Sequence, residues 1–218
     1  MADKSGDWTG QWIAKILRSS DEVAAVEALT SQLVQVVRKK HPTIQVLAVA
    51  VARFDASMLR SLLADTQHAS FVVNISKEAH ITEDALALAK EMAVGIGGVG
   101  DLLGAIELAD VSKYVSKELT FIERGLDQHN RVLGYERLDD RLYRINRRGL
   151  SDLTVVFLNE YELTADHIRT AWARYGTFRF AVITNPNGSA TSSAQEVATS
   201  MKVQIYMWGG FLGALNRR

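Results

Sequence analysis

No cysteine occurs anywhere in this chain of 218 residues, which excludes disulfides and thiolate metal sites. The absence fits a reducing compartment. Net charge is also lacking: 25 basic residues face 25 acidic ones, which argues against a whole-surface polyanion binder but leaves room for a local basic patch. No long apolar run is present. The longest, Val46 to Ala52, is far short of the roughly 20 residues that cross a bilayer. The N-terminal stretch Met1 to Asp7 is polar, with no apolar signal core. The expectation is a cytoplasmic protein with no membrane partner. The five histidines, at positions 41, 68, 80, 129 and 167, stand singly, and none pairs with another at metal-ligand spacing.

What the chain does contain is a repeat. Set without a gap at an offset of 109, the segments 71–107 and 180–216 are identical at twelve of 37 positions. The matches run from Phe71/Phe180 and Val73/Val182 through Thr82/Thr191, Ala85/Ala194 and Met92/Met201 to Gly104/Gly213 and Ala105/Ala214. They fall where packing demands them. Upstream the register persists more thinly, with Ala56/Ala165, Arg60/Arg169 and Ala64/Ala173.

Within each half the pattern alternates. Ile44–Arg53 and Leu153–Leu158 are apolar, β-branched runs suited to buried strands. Short helices are predicted at Ala56–Ala64 and Ala165–Arg174, second strands at Phe71–Ile75 and Phe178–Thr184. Thr82 and Thr191 stand as N-caps of the next helices. Third strands (Val94–Ile96, Val203–Met207) and closing helices (Asp101–Ile106, Gly210–Leu215) complete the halves. A long helix is predicted to open each half, from Ser20 to about Lys39 and from about Val111 to Gln128, with apolar stripes Val26, Leu29, Leu33, Val36 and Val115, Leu119, Ile122, Leu126. The second half adds a hairpin, Arg131–Arg137 and Arg141–Asn146 about Leu138-Asp139-Asp140. The expected fold class is α/β: two tandem repeated halves, 1–110 and 111–218, each a small mainly parallel sheet flanked by helices, the second with an added β-hairpin at 131–147. No stretch rich in Pro, Gly or Ser divides the halves.

Three stretches carry candidate chemistry. Gly95-Ile96-Gly97-Gly98-Val99-Gly100 satisfies the spacing G-x-G-x-x-G, but the strand before it is the third of its half and no strand bearing an acid follows at the needed distance. Its last glycine reads better as a turn before the closing helix. The loop Thr184-Asn185-Pro186-Asn187-Gly188-Ser189 offers hydroxyls and N–H groups for an anion, with Asn185 and Ser189 as ligand-binding candidates, although such loops are more often turns and caps. The hairpin holds Arg131, Arg137, Arg141, Arg144, Arg147 and Arg148 with Tyr135 and Tyr143 interleaved. That composition suits nucleic acid, because guanidinium reaches phosphate bidentately and rings stack on bases. Pairing with Glu136, Asp139, Asp140 or Asp152 is the alternative.

The order of elements in the second half, with the run Phe178–Leu215, resembles the restriction-endonuclease-like (PD-(D/E)XK) superfamily, nearest its Mrr-type members, over about 105 residues. The resemblance implies an acid on the second core strand, an E-x-K or Q-x-K on the third, and a divalent metal held between two carboxylates. Here the hairpin supplies Asp139 and Asp140, and Asp152 opens the next strand, which ends Asn159-Glu160-Tyr161-Glu162 with no lysine in place. The first half has no ligand on the equivalent strand. The leading expectation is therefore a non-catalytic, nuclease-like protein that binds DNA, RNA or a partner protein, without a cofactor. One alternative is a nuclease using Asp140, Asp152 and Glu160, with Glu118 as accessory acid and Mg or Mn as cofactor. The other is a Rossmann-like module holding a small anionic ligand near Asn185 and Ser189.

Overall fold

The computed structural model describes residues 8–66, 68–76 and 79–217, so the polar stretch Met1 to Asp7 lies outside the described residues. The chain divides into two compact units at Ser116/Lys117.

In the first unit the order is α1 (Thr9–Arg18), β1 (Val23–Ala28), β2 (Leu33–Arg38), β3 (Ile44–Val49), β4 (Arg53–Phe54), α2 (Ala56–Asp65), β5 (Ala69–Asn74), β6 (His80–Ile81), α3 (Glu83–Glu91), β7 (Gly95–Gly97) and α4 (Val99–Ala105). A single 3-10 turn, Val111–Lys113, comes next. The second unit runs α5 (Lys117–Asp127), β8 (Val132–Arg137), β9 (Leu142–Arg147), β10 (Leu153–Leu158), β11 (Glu162–Leu163), α6 (Ala165–Tyr175), β12 (Phe180–Ile183), β13 (Ser189–Ala190), α7 (Ser192–Ser200), β14 (Gln204–Met207) and α8 (Trp208–Ala214). The two halves are thus similar, and their elements correspond one to one at the same offset of 109, from β1/β8 at Val23/Val132 to α4/α8 at Ala105/Ala214.

The structure corrects three expectations, two about helices and one about the sheets. Residues 20–39 form no helix; they are the hairpin β1–β2, so the first half does not lack one. The apparent helical stripe arises because Ala, Glu, Leu and Gln, all good helix formers, intersperse the valines, and no Gly or Asn marks the turn. Thr30 makes the turn instead: its hydroxyl accepts from the N–H groups of Gln32 (3.2 Å) and Leu33 (2.9 Å), a local bond that competes with helix. The helix predicted from Val111 begins only at Lys117, and Val115 is exposed rather than part of an apolar stripe.

The sheets are mixed rather than mainly parallel. Their orders are β1-β2-β3-β5-β7 and β14-β12-β10-β9-β8. In the second, β8, β9 and β10 form an antiparallel meander, while β10, β12 and β14 are parallel. The side-chain period of two then splits the core into two layers. Tyr143, Ile145, Val155, Phe157, Phe180 and Val182 face α5 and α8, meeting Ile122, Leu126 and Phe211. Leu142, Val156, Leu158, Ala181 and Ile183 face α6 and α7, meeting Ile168, Ala171, Ala194 and Ala198. The first unit does the same with α1 and α4 on one face and α2 and α3 on the other.

One polar device recurs. The Arg38 side chain is 5% exposed and Arg147 also 5%. Arg147 donates from Nε to the Ser151 carbonyl (2.9 Å) and from Nη1 to those of Leu215 (3.3 Å) and Arg217 (2.8 Å). Arg38 makes the corresponding bonds to Pro42 (2.8 Å), Ile106 (3.4 Å) and Leu108 (2.5 Å). Each guanidinium satisfies carbonyls that the closing helix leaves unpaired at its C-terminal end.

Candidate functional site

Because β9 runs against β10, with Leu142 opposite Val156, the turn residues Asp139–Arg141 lie beside the C-terminal end of β10. Glu160 follows that end, and Glu118 is tied to it through Asn159 and to the end of β12 through Thr184. Asp152 precedes β10 and lies at the opposite end. Six residues at about 3.3 Å each put roughly 20 Å between the two ends. The four acids of the nuclease alternative are therefore not brought together: Glu118, Asp140 and Glu160 share one end, and Asp152 stands at the other. Among the described residues, no three His, Asp or Glu side chains lying wholly within this unit bring ligand atoms within 4.8 Å of one another.

At the C-terminal end the chemistry is self-satisfied. Glu118 Oε1 accepts from Arg141 Nη1 (3.0 Å) and the Thr184 hydroxyl (2.6 Å), and Oε2 from the Asn159 amide (3.4 Å). Burial pulls the Arg141 guanidinium down, but the Glu118 carboxylate, with smaller help from Asp140 and Tyr175, outweighs it and holds the group above its ordinary value. Tyr175 donates to Asp140 Oδ1 (2.6 Å), and burial, then the Asp140 charge, pushes that phenol well above its ordinary range. Glu160 lies 3.9 Å from His167. Among the described residues no buried side-chain nitrogen or oxygen lacks a hydrogen-bond partner. A carboxylate already taking three donors has little left for a hard cation, which needs several oxygen ligands. The network joins α5 to the ends of β10 and β12. Glu118→Ala is therefore expected to lower stability by about 1–3 kcal/mol, because it strands the Arg141 charge, whose side chain is 37% exposed. Pairing it with Arg141→Met should recover part of the loss. Thermal denaturation of the two variants checks this, and an unchanged midpoint for Glu118→Ala would show the pair to be inert.

The loop at the end of β12 is likewise a turn. Asn185 Oδ1 accepts from Asn187 N–H (3.0 Å), its carbonyl from Gly188 N–H (3.0 Å), and the Ser189 N–H is used by the Tyr161 carbonyl (3.0 Å). Thr191 caps α7 through Ala194 N–H (3.1 Å). In the glycine-rich stretch, Asp101 Oδ2 takes the Gly98 N–H (2.9 Å), so a carboxylate occupies the start of α4 where a phosphate would have to sit.

The six hairpin arginines separate by environment. Arg147 is the buried clasp, Arg141 pairs with Glu118, and Arg137 donates to the Asp139 (3.2 Å) and Asp140 (2.7 Å) carbonyls, closing the hairpin turn. Arg144 pairs across the strands with Glu136 at 2.9 Å, both exposed. Arg131 and Arg148 are exposed at the open end of the hairpin, where the Arg148 N–H meets the Arg131 carbonyl (2.8 Å).

That open end leads into a cleft of about 610 Å³ at the N-terminal ends of β10, β12 and β14. It is lined by Arg179, Lys202, Arg217, Gln204 and Tyr206, and Asp152 is the one acid in its lining. Arg179, Lys202 and Arg217 are exposed, and Lys202 takes a left-handed backbone (φ 60°) in the turn after α7. Local sequence patterns do not single out these three cations, since two stand on separate connections and Arg217 follows the closing helix. The offset comparison would have found them. The matching cleft of the first unit, about 460 Å³, keeps Arg38 but has Ser70 and Ala93 at the positions of Arg179 and Lys202, and includes Asp110. Leu108 holds the position of Arg217, and Gly95 and Gly97 those of Gln204 and Tyr206.

Among the described residues no helix is long and apolar enough to cross a membrane. Comparison of the chain with protein-family models, curated proteins and solved structures gives no match.

Proposed function

We propose that this chain is a non-catalytic binding protein whose second half engages the phosphates of a nucleic acid at the N-terminal-strand end of its sheet. One observation carries the reading. Arg179, Lys202 and Arg217 converge on a cleft with a single acid, while the same framework in the first half is built with Ser70, Ala93 and Leu108. The fold does not need those charges, so their gathering in a chain of zero net charge asks for a ligand. Arg131 and Arg148, exposed at the same end, extend the patch. Correspondence of every element at one offset, with twelve identities in 37 positions, supports a duplication in which only the second copy carries the surface. Under the restriction-endonuclease-like resemblance, that copy is a nuclease relative without turnover, because Asp152 is a strand length from Glu118 and Glu160 and no lysine follows Leu158 at the needed spacing.

The test is association of fluorescent DNA and RNA oligonucleotides of 20 nucleotides with the purified chain across a salt series. Each phosphate neutralised contributes about 0.7–0.9 to the slope of log K against log salt. With three to five cations engaged, a slope of roughly −2 to −4.5 is expected. The oligonucleotide should emerge intact after incubation with magnesium or manganese. Absence of salt-dependent association would turn the basic end into a protein-contact surface. Cleavage lost in Asp152→Ala or Asp140→Asn would put the nuclease alternative in its place.

A further inference from the structure

We infer that the cleft receives an unpaired nucleotide, so that the protein prefers single-stranded DNA or RNA to duplex; this rests on the nucleic-acid reading above. The cleft, about 610 Å³ and open to solvent on one side, has room for a group the size of one nucleotide. A concave site of that size admits one nucleotide, whereas a duplex meets a protein along a groove or a convex backbone, with its base faces covered by stacking. An unpaired base offers what a duplex hides, a free π face, and the cleft includes one aromatic side chain at its strand edge, Tyr206.

Tyr206 lies on the edge strand β14 and is half-buried. Its ring packs edge-to-face on Phe180, with centroids 5.0 Å apart, so its attitude is set by the core behind it. The Tyr206 hydroxyl donates to Gln204 Oε1 (2.7 Å), which orients the Gln204 amide and leaves its N–H donors for a base edge or a sugar hydroxyl. Arg179, Lys202 and Arg217 line the same cleft and supply the phosphate contacts. A ring, an oriented amide and three cations are the three kinds of contact an unpaired nucleotide requires. They also vary together. The first unit has glycine at both β7 positions matching Gln204 and Tyr206, and it has Ser70, Ala93 and Leu108 in place of the cations.

The experiment measures competition between a single-stranded 12-mer and the corresponding 12-bp duplex, in wild type and in Tyr206→Leu, Tyr206→Phe and Gln204→Ala. Wild type should bind the single strand at least tenfold more tightly. Tyr206→Leu should weaken that binding about 5- to 150-fold, the range for loss of one stacked base, with an unchanged salt slope. Tyr206→Phe keeps the ring and loses only the hydroxyl that orients Gln204, so its affinity should fall less than that of Tyr206→Leu and no further than that of Gln204→Ala. Gln204→Ala, at an exposed position, tests the site without touching the core. Its affinity for the single strand should fall while its melting temperature holds. Equal affinity for both forms, with Tyr206→Leu silent, overturns this inference and leaves the phosphate reading standing. No salt-dependent binding to either form overturns both.

Discussion

Replacing Arg147 with methionine should lower the unfolding free energy by about 3 kcal/mol or more, and Arg38→Met should do the same to the first unit. The guanidinium donates to the carbonyls of Ser151, Leu215 and Arg217, and hydrogen bonds from charged donors contribute roughly 1.5–3 kcal/mol each. Desolvation works against the charge. Burial holds the Arg147 pKa below its ordinary value, with Asp152 pulling it back up and Arg179 adding to the depression. The net effect is therefore less than the sum of the bonds. Methionine fills much of the same volume, so the loss it causes belongs to the polar contacts and not to a cavity. Lysine should recover little, because one ammonium cannot span carbonyls that approach the guanidinium from separate directions. Urea unfolding of the two single variants and the double checks the prediction. If the clasps act independently, each lowers its own unit's midpoint. An unshifted midpoint in Arg147→Met would reduce the clasp to a bystander.

Reversing three charges in the cleft, Arg179→Glu with Lys202→Glu and Arg217→Glu, should abolish nucleic-acid binding while leaving the fold intact. Loss of three phosphate contacts removes about 2–3 units from the salt slope. At low salt, with repulsion added, affinity should fall by on the order of a hundredfold or more. Stability should change little, since all three side chains are exposed and the first unit does without them. Reversal of Arg144 serves as the comparison. Its guanidinium is held by Glu136 on an exposed strand pair, and its loss should cost binding far less. Wild-type affinity in the triple variant, with the fold shown intact, would move the binding surface elsewhere.

The legibility of the fold in the sequence differs from element to element. Strand β10 is legible residue for residue, and β3, α6 and α7 to within a few residues, because apolar runs and N-cap threonines are local signals. The β1–β2 hairpin reads as a helix, although the offset that relates the two similar halves continues through it. Val23/Val132, Glu27/Glu136, Leu29/Leu138, Leu33/Leu142 and Arg38/Arg147 are identical at the same offset. The turn at Thr30 is made by a hydroxyl rather than by Gly or Asn, so propensity alone favours helix. The site is harder to read. Composition singles out six arginines on one hairpin, yet Arg137, Arg141 and Arg147 are occupied by carbonyls and by Glu118. Arg179, Lys202 and Arg217 are spread over nearly 40 residues of chain, and it takes parallel pairing of β10, β12 and β14 to gather them. Local sequence carries no trace of that pairing.

Every strand of the first five-stranded sheet lies before residue 98, and its closing arginine bonds reach only to Ala109. During synthesis, then, the first unit has all its partners in hand before β8 emerges, and it can complete its sheet without borrowing a strand from the second unit. This matters for a chain whose halves share an element plan, since strand exchange between like neighbours is a characteristic failure of tandem folds. The hairpin strands are the first strands of each half to be synthesised, so each hairpin can pair within its own half. The order of synthesis thus favours pairing within each half over pairing between halves.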